Sequence, residues 1–331
     1  MAKIESVAGS GLEARPAVEG WFRRHLLDTD ELTRAEIDLI LETADAMREV
    51  RSRPAAKIAA LRGVTVATLF YEQSTRTRAS FEVAAKALGA DVVNLTAAGS
   101  SVEKGESLVD TVRTLEAIGV DVIVMRHPSS GAPYLAARHT SAAVINGGDG
   151  THAHPTQALL DLYTMRRHLG SLEGRKVVIV GDILHSRVAR SNLWTLLAEG
   201  AEIVLCGPAT LLPRRLVASL PDRCRVRLST NLDEAIVDAD VVMALRIQRE
   251  RQESGLIPSI RDYIRQYQVN AERLARAKPG VLVMHPGPMN EGIEIAPDVA
   301  HGLRSVIEEQ VTNGVAVRMA LLYLIAGGER L

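Results

Sequence analysis

Apolar and polar positions along this chain follow two alternating periods. Short runs of β-branched and apolar residues, such as "VTVATLFY", predict buried strands, whereas apolar positions that recur every three or four residues predict helices. The predicted strands lie near 64–71, 90–95, 121–126, 142–146, 176–181, 202–206, 225–228, 240–245 and 281–284. Strands that alternate with helices in this way are typical of parallel sheets covered on both faces.

The helical segments have recognisable ends. Thr33 begins the first helix with Thr-Arg-Ala-Glu, a capping-box pattern that ends at Glu36. Further helices are predicted over 154–170, 188–199 and 231–238, and a long one ends the chain within 305–327. The polar segment 247–268 breaks the alternation, and we interpret it as a long surface loop.

The alternation runs through two halves that join near residues 150–170. A chain of 331 residues is long for one core and comfortable for two. We therefore predict an α/β protein of two doubly wound parallel-sheet domains linked by helices, with the C-terminal helix packing back on the first domain.

The composition limits the classes of partner and the cellular locations that we expect for this protein. Lys plus Arg number 39 and Asp plus Glu number 40, and this balance argues against a nucleic-acid or membrane-surface binder. The two cysteines, Cys206 and Cys224, form no CxxC pair, the N-terminus has no apolar signal region, and no apolar run is long enough to cross a bilayer. We expect a cytoplasmic protein, in which any anion site is a local concentration of arginine.

One such concentration is the run Ser74-Thr75-Arg76-Thr77-Arg78, which lies between a predicted strand and a predicted helix. Free N–H groups and the macrodipole at a helix N-terminus attract anions. Hydroxyl groups and guanidinium groups beside them suit a phosphate. The alternative is a capped helix with two solvated arginines.

Polar residues also follow other predicted strands, where ligands of open α/β sheets bind. The segments concerned are "RHP" (126–128), "GGDGTHAHPTQ" (147–157), "GDILHSR" (181–187), "RIQRER" (246–251) and "HPGPMN" (285–290). Solvation alone does not explain arginine, histidine and glutamine at six strand ends.

Three of these segments have rival interpretations. "GDILHSR" follows a strand as a dinucleotide fingerprint does, but it carries Gly181 without the second and third glycines. His152 and His154 form a His-x-His pair as in metal hydrolases, although a solvated or capping histidine is the simpler interpretation of His152. The arginines of "RIQRER" could form a charged helix face. We assign no metal and no cofactor.

Together, the 74–78 run, "MRHP" (125–128) and "HPTQ" (154–157) resemble the signature of the carbamoyltransferases from about residue 24 onward. Three segments are similar to the aspartate branch, namely "GSSVEKGESLVDT" (99–111), "RIQRER" and "HPGP" (285–288). The ornithine branch has a His-Cys-Leu-Pro run at the last site, and here Pro286 stands in place of that cysteine.

The resemblance implies roles in binding carbamoyl phosphate. Arg76, Thr77, Arg126 and His154 are the implied catalytic residues, with the last three around the carbonyl oxygen. Gln157 and the backbone carbonyls near Pro286 and Gly287 are implied to hold the carbamoyl NH₂. The full implied set is Ser74, Thr75, Arg76, Thr77, Arg126, His154, Gln157, Gly287, Pro288 and, from a neighbouring subunit, Ser100.

The resemblance also implies an aspartate site. Arg187 would hold the α-carboxylate, Arg246 and Gln248 the β-carboxylate, and Lys104 would reach in from a neighbouring subunit. Such sharing implies a homotrimer. Some relatives carry two adjacent lysines here, whereas Glu103 precedes Lys104 in this chain, and we expect its charge to weaken anion attraction slightly.

The implied activity is transfer of the carbamoyl group of carbamoyl phosphate to L-aspartate, early in de novo pyrimidine (UMP) synthesis. The implied domains are a flexible tail over 1–23, a carbamoyl-phosphate domain over 24–153 completed by helix 304–326, and an aspartate domain over 154–303. A different amine acceptor and a non-catalytic scaffold subunit are the alternatives. The resemblance leaves open whether the trimer joins regulatory chains or dihydroorotase.

Overall fold

The computed structural model describes residues 20–53, 57–96, 106–221, 224–247 and 259–327. Ser100, Lys104, Gln248 and most of the predicted N-terminal tail therefore lie outside the described residues. No helix within these ranges is both long and apolar enough to span a membrane.

The strands lie where the apolar runs predict them. Their bounds are β1 (Thr65–Phe70), β2 (Asp91–Thr96), β3 (Val122–His127), β4 (Ala143–Asp149), β5 (Lys176–Val180), β6 (Glu202–Cys206), β7 (Val226–Ser229), β8 (Val241–Ala244) and β9 (Leu282–Met284).

The helices fill the intervals between strands. Their bounds are α1 (Arg34–Ser52), α2 (Thr75–Ala87), α3 (Leu108–Ala117), α4 (Ala132–Ala137), α5 (Pro155–Leu169), α6 (Arg187–Ala198), α7 (Arg214–Ala218), α8 (Leu232–Ala235), α9 (Ile260–Tyr267), α10 (Ala271–Leu274), α11 (Pro297–Ala300) and α12 (Ile307–Gly327).

Two parallel sheets confirm the predicted α/β class. The first has the order β2-β1-β3-β4 and the second the order β7-β6-β5-β8-β9. The chain moves outward in opposite directions from β1 and β3 in the first sheet, and from β5 and β8 in the second. A doubly wound sheet has its binding crevice at such a switch point, beyond the carboxyl ends of the strands.

Both faces of each sheet are buried, as continuous apolar strands require. In β5, Val177 and Ile179 belong to a large core that includes residues of both sheets, whereas Val178 and Val180 belong to a core on the opposite face. The C-terminal helix α12 packs against α1, α2 and α5. Its contacts with α1 and α2 confirm that it returns to the first domain.

The prediction of a surface loop over 247–268 is wrong for its last part, because α9 occupies Ile260–Tyr267. The Ser259 hydroxyl caps this helix by accepting from the backbone N–H of Asp262 at 3.0 Å. Tyr263 and Tyr267 bury the apolar stripe of an otherwise charged helix. The i, i+4 spacing of the two tyrosines was the signal, and the surrounding charged residues obscured it.

The capping box that starts α1 is confirmed. The Thr33 hydroxyl accepts from the backbone N–H of Glu36 at 3.3 Å, and the Glu36 carboxylate accepts from the backbone N–H of Thr33 at 2.8 Å. Arg23 also binds the Glu36 carboxylate, so the box attaches the segment before α1 to the helix.

We predict that Thr33→Ala lowers the free energy of unfolding by about 1 kcal/mol, because the first turn of α1 loses its cap. Thr43→Ala is the matched control, since Thr43 lies inside the same helix and its hydroxyl donates to the backbone oxygen of Leu39. It should change stability little. Urea unfolding followed by circular dichroism measures both variants, and equal losses would contradict a specific capping role.

Candidate active site

A cavity of about 740 Å³ lies where the carboxyl ends of the two sheets meet. It gathers the predicted site residues that fall within the described ranges. They are Ser74, Thr75, Arg76, Thr77, Arg126, His154, Gln157, Arg187, Arg246, Gly287 and Pro288. The first sheet supplies the residues after β1, Arg126 at the end of β3, and the residues after β4, and the second sheet supplies those after β5, β8 and β9.

The predicted phosphate segment forms the first turn of α2. Ser74 is the N-cap residue, and its hydroxyl accepts from the backbone N–H of Thr77 at 3.4 Å. Arg76 is exposed at the cavity, and Thr77 is buried. A helix N-terminus with hydroxyls and a guanidinium at a cavity wall can bind an anion.

Gly287 brings the loop after β9 against this segment. Its φ is +66°, and a Cβ built there would lie 3.1 Å from the Arg76 guanidinium carbon. Both the left-handed backbone and the close approach favour glycine. The Nδ1 atom of His285 accepts from the Gly287 N–H at 2.9 Å, and its Nε2 lies 3.2 Å from Glu294 Oε1. The loop is therefore held from behind by a buried histidine and carboxylate.

Glu72 links the arginines of the two sheets. Arg187 Nη2 donates to Glu72 Oε2 at 2.9 Å, and Arg126 Nε lies 3.3 Å from the same oxygen. A single carboxylate thus offsets part of the repulsion between two guanidinium groups. Glu72 was not among the predicted site residues, although its position just after β1 was an available signal.

Arg187 is the first residue of α6 and is nearly fully buried. Its Nη1 donates to the backbone oxygen of Gly150 at 3.2 Å. A Cβ built on Gly148 would lie 2.9 Å from Arg187 Nε. Gly148 of "GGDG" therefore makes room for this guanidinium.

His154 lies at the N-cap of α5, 4% exposed, with its backbone N–H donating to the Ser191 hydroxyl at 2.9 Å. Burial lowers its pKa well below 6.5, and the nearby positive charges of Arg126, Arg187 and Arg318 lower it further. The imidazole is therefore neutral at neutral pH. Its Nδ1 has no hydrogen-bond partner among the residues that the structure describes.

Arg318 is a cavity residue that the sequence analysis missed. It lies in the apolar α12, only 4% exposed, with its guanidinium carbon 5.3 Å from the centroid of the Phe81 ring. Burial lowers its pKa to about 10, and the Asp161 carboxylate opposes this shift. An arginine inside an otherwise apolar helix was the available signal.

The structure bears on the dinucleotide, metal and charged-helix interpretations of the strand-end segments. A Cβ at Gly181 would lie 3.1 Å from Leu245 Cβ and 3.3 Å from the Tyr263 hydroxyl, so close packing accounts for this glycine without a bound nucleotide. His152 Nδ1 lies 3.2 Å from Asp149 Oδ2, in the turn before α5. Within the described ranges, no group of three or more His, Cys, Asp or Glu residues could hold a metal ion. Arg246 follows β8 and lines the cavity.

Family models match nearly the whole chain. The model for the "Aspartate/ornithine carbamoyltransferase, carbamoyl-P binding domain" matches residues 24–167. The model for the "Aspartate/ornithine carbamoyltransferase, Asp/Orn binding domain" matches residues 173–325.

Individual relatives agree. The aspartate carbamoyltransferase catalytic subunit of Roseiflexus sp. (strain RS-1) is 62% identical over 307 residues, which are 92% of this chain and 96% of that protein. The catalytic subunit of Chloroflexus aggregans is 63% identical over 92% of this chain and 99% of its own. Aspartate transcarbamoylase from Trypanosoma cruzi, solved with carbamoyl phosphate and aspartate, has a TM-score of 0.85 at 31% identity and covers 94% of this chain and 99% of its own. Ornithine carbamoyltransferase from Pyrococcus furiosus has a TM-score of 0.84 at 32% identity, and the match covers 92% of this chain and 97% of that protein. This chain therefore belongs to the aspartate/ornithine carbamoyltransferase family.

Proposed function

We infer that this chain transfers the carbamoyl group of carbamoyl phosphate to the amine of L-aspartate, giving N-carbamoyl-L-aspartate and phosphate. The observation that carries the inference is one cavity lined by arginines from both sheets, at the switch point of each. A dianionic phosphate and a dicarboxylate need such cationic groups on both sides. The curated relatives bear the name of the same enzyme.

The phosphate of the donor would lie at the N-terminus of α2. Ser74, Thr75, Arg76 and Thr77 would donate to its oxygens, and Arg126 would reach both a phosphate oxygen and the carbonyl oxygen. This assignment is supported by the position of the segment at the N-terminus of α2 and by the exposed guanidinium of Arg76 at the cavity wall.

The carbonyl oxygen would receive hydrogen bonds from Thr77, Arg126 and His154. Because the imidazole is neutral, it would donate one N–H to the oxygen, which gains negative charge in the transition state. Gln157 and the backbone carbonyls near Pro286 and Gly287 would accept from the carbamoyl NH₂, with Pro288 closing the same loop.

Aspartate would bind on the side of the second sheet. Arg187 would hold its α-carboxylate, and Arg246 with Gln248 its β-carboxylate. The amine attacks the carbonyl carbon, the C–N bond forms, and the C–O bond to phosphate breaks. A phosphate oxygen takes the proton of the amine, so orientation and charge stabilisation supply most of the rate.

We further propose a homotrimer in which Ser100 and Lys104 complete the site of the neighbouring subunit. We propose a cytoplasmic location, supported by the two free cysteines, and a place early in pyrimidine synthesis. The first domain would comprise residues 24–153 and the C-terminal helix, and the second domain residues 154–303.

The alternative functions are carbamoyl transfer to a different amine acceptor and a scaffold subunit. Retention of Arg76, Thr77, Arg126 and His154 in one cavity favours catalysis over a scaffold.

The first prediction concerns the charge of His154. From about pH 8.5 down to about pH 6.5, its imidazole ¹³C resonance should stay constant because its pKa is depressed. His152 is the matched control, since the Asp149 carboxylate raises its pKa above 6.5 and it should titrate in this range. Glutamine substitutions at each position assign the resonances.

The depressed pKa of His154 also makes the stability of the fold depend on pH. Because the folded-state pKa of His154 lies below the unfolded value of 6.5, protonation disfavours the folded state. The penalty is absent at alkaline pH and grows as the pH falls below 6.5. Titration of the His154 resonance at or above this pH would contradict the neutral donor.

The second prediction concerns the acceptor. A colorimetric assay should detect carbamoyl-aspartate from aspartate and no product from ornithine. Arg246→Ala should raise the KM for aspartate about thirtyfold, because about 2 kcal/mol of charge-assisted bonding is lost. Affinity for phosphonoacetamide, a stable analogue of carbamoyl phosphate, should stay nearly constant.

Arg214→Ala is the control for this variant, because Arg214 is an exposed arginine at the start of α7. It should leave both ligands unaffected. Equal losses of aspartate and phosphonoacetamide affinity in Arg246→Ala would mean that Arg246 organises the whole cavity. Turnover of ornithine by the unaltered chain would reject the proposed acceptor.

The third prediction tests the shared site. Lys104→Ala and Arg76→Ala chains should each be nearly inactive alone. After dissociation and reassembly of an equimolar mixture, about a quarter of the wild-type activity should return, since each interface has that chance of joining two intact halves. Reassembly confirmed by sizing, without recovery of activity, would remove the proposed role of Lys104 across the interface.

A further inference from the structure

Asp161 connects three buried amides behind the cavity. It lies on α5 one turn after Gln157 and is fully buried. Its Oδ1 accepts from Gln157 Nε2 at 2.9 Å and from Gln310 Nε2 at 2.7 Å. Its Oδ2 accepts from Asn192 Nδ2 at 2.9 Å. One carboxylate thus determines the orientation of amide groups on α5, α6 and α12.

The carboxylate leaves Gln157 one way to face the cavity. An ionised carboxyl group only accepts hydrogen bonds, so the amide nitrogen of Gln157 must be the end that points toward Asp161. Gln157 also lines the cavity. The end of its amide that remains for a ligand is therefore the carbonyl oxygen, an acceptor.

Asp161 also reaches the loop after β9. Gln310, whose nitrogen is bound to Asp161, accepts with Oε1 from the backbone N–H of His285 at 3.0 Å. His285 in turn accepts from the Gly287 N–H. The carboxylate thereby supports both groups assigned above to the carbamoyl NH₂, namely the Gln157 amide and the loop of Gly287.

We propose that Asp161 is a positioning residue that sets the specificity for the donor substrate. By holding the Gln157 oxygen toward the cavity, it favours an acyl phosphate whose carbonyl carries NH₂ over one whose carbonyl carries CH₃. An NH₂ group donates to that oxygen, whereas a methyl group would leave it buried and unpaired. The proposal rests on the role proposed above for Gln157.

The ionisation of Asp161 at neutral pH is consistent with this role. Burial raises its pKa to about 6, and the three amide donors together with Arg318 oppose that rise. At a pH of about 7.5 the group is an acceptor for all three amides.

The test uses two stable ligands of equal charge and similar shape, phosphonoacetamide and acetonylphosphonate, which differ only in NH₂ against CH₃. Calorimetry measures the dissociation constant of each ligand. The dissociation constant of acetonylphosphonate divided by that of phosphonoacetamide reports the discrimination in favour of NH₂. We expect Asp161→Ala to lower this ratio about tenfold, the value of one well-formed hydrogen bond. A ratio that stays within about twofold of the wild-type value, which is the scatter expected for independent sites, would overturn the proposal.

Asn192→Ala is the structural control. It removes a donor from the other oxygen of Asp161 and leaves Gln157 bound. It should weaken both ligands in equal proportion and leave the ratio unchanged. If it lowers the ratio as much as Asp161→Ala does, the effect is general loosening and the proposal fails.

The variant Gln157→Ala distinguishes the proposed role of Gln157 from the proposed role of Asp161. It should lower the ratio by itself, and adding Asp161→Ala should then lower the ratio less than Asp161→Ala does in the wild type, because Asp161 acts partly through Gln157 and partly through the loop of Gly287. An unchanged ratio in Gln157→Ala would remove the role of Gln157 and this proposal with it. A lowered ratio in Gln157→Ala but not in Asp161→Ala would remove only the proposal.

A measurement on the unaltered chain applies if Asp161→Ala does not fold. In ¹⁵N-glutamine-labelled protein, the side-chain NH₂ of Gln157 should exchange with solvent at least about tenfold more slowly than that of the exposed Gln266. Exchange as fast as that of Gln266 would show that the nitrogen faces the cavity and not Asp161, which would overturn the proposal.

Discussion

The direction of the strands is the constraint on which the site depends. In each sheet all strands run parallel, so their carboxyl ends meet at one edge, and the two edges face the same cavity. The chain reverses its lateral direction between β1 and β3 and between β5 and β8. Loops leaving such neighbouring strands diverge and open a crevice. Arg76 and Arg126 flank the first crevice, and Arg187 and Arg246 flank the second.

Positive charge concentrated at these crevices is costly without an anion. The structure offsets it in three ways. Glu72 binds Arg126 and Arg187, the imidazole of His154 is neutral, and the Arg318 guanidinium lies over the Phe81 ring near the Asp161 carboxylate. Anionic substrates would complete this compensation, which gives a physical reason for the affinity of such a cavity for a phosphate and a dicarboxylate.

The C-terminal helix joins the two halves of this arrangement. It packs against α1 and α2 of the first domain and against α5, while Gln310 connects it to the end of β9 and to Asp161. Its apolar positions fill the core that the two sheets share. A helix buried on most sides in this way has few polar residues, and two of them, Gln310 and Arg318, line the cavity.

The sequence by itself determined the strands, most helices and the strand-end segments, because continuous apolar runs, the Thr33 cap and the polar run 74–78 are local signals. It also carried the family signature. The tertiary structure decided which distant side chains share a hydrogen bond. Glu72 and Arg187 lie 115 positions apart, and Asp161 and Gln310 lie 149 apart. No local period encodes such pairs, and α9 was missed because charged residues obscure the spacing of its two buried tyrosines, which pack in the core of the second sheet. Burial and three nearby guanidinium groups lower the pKa of His154, and the chain assembles these surroundings only on folding.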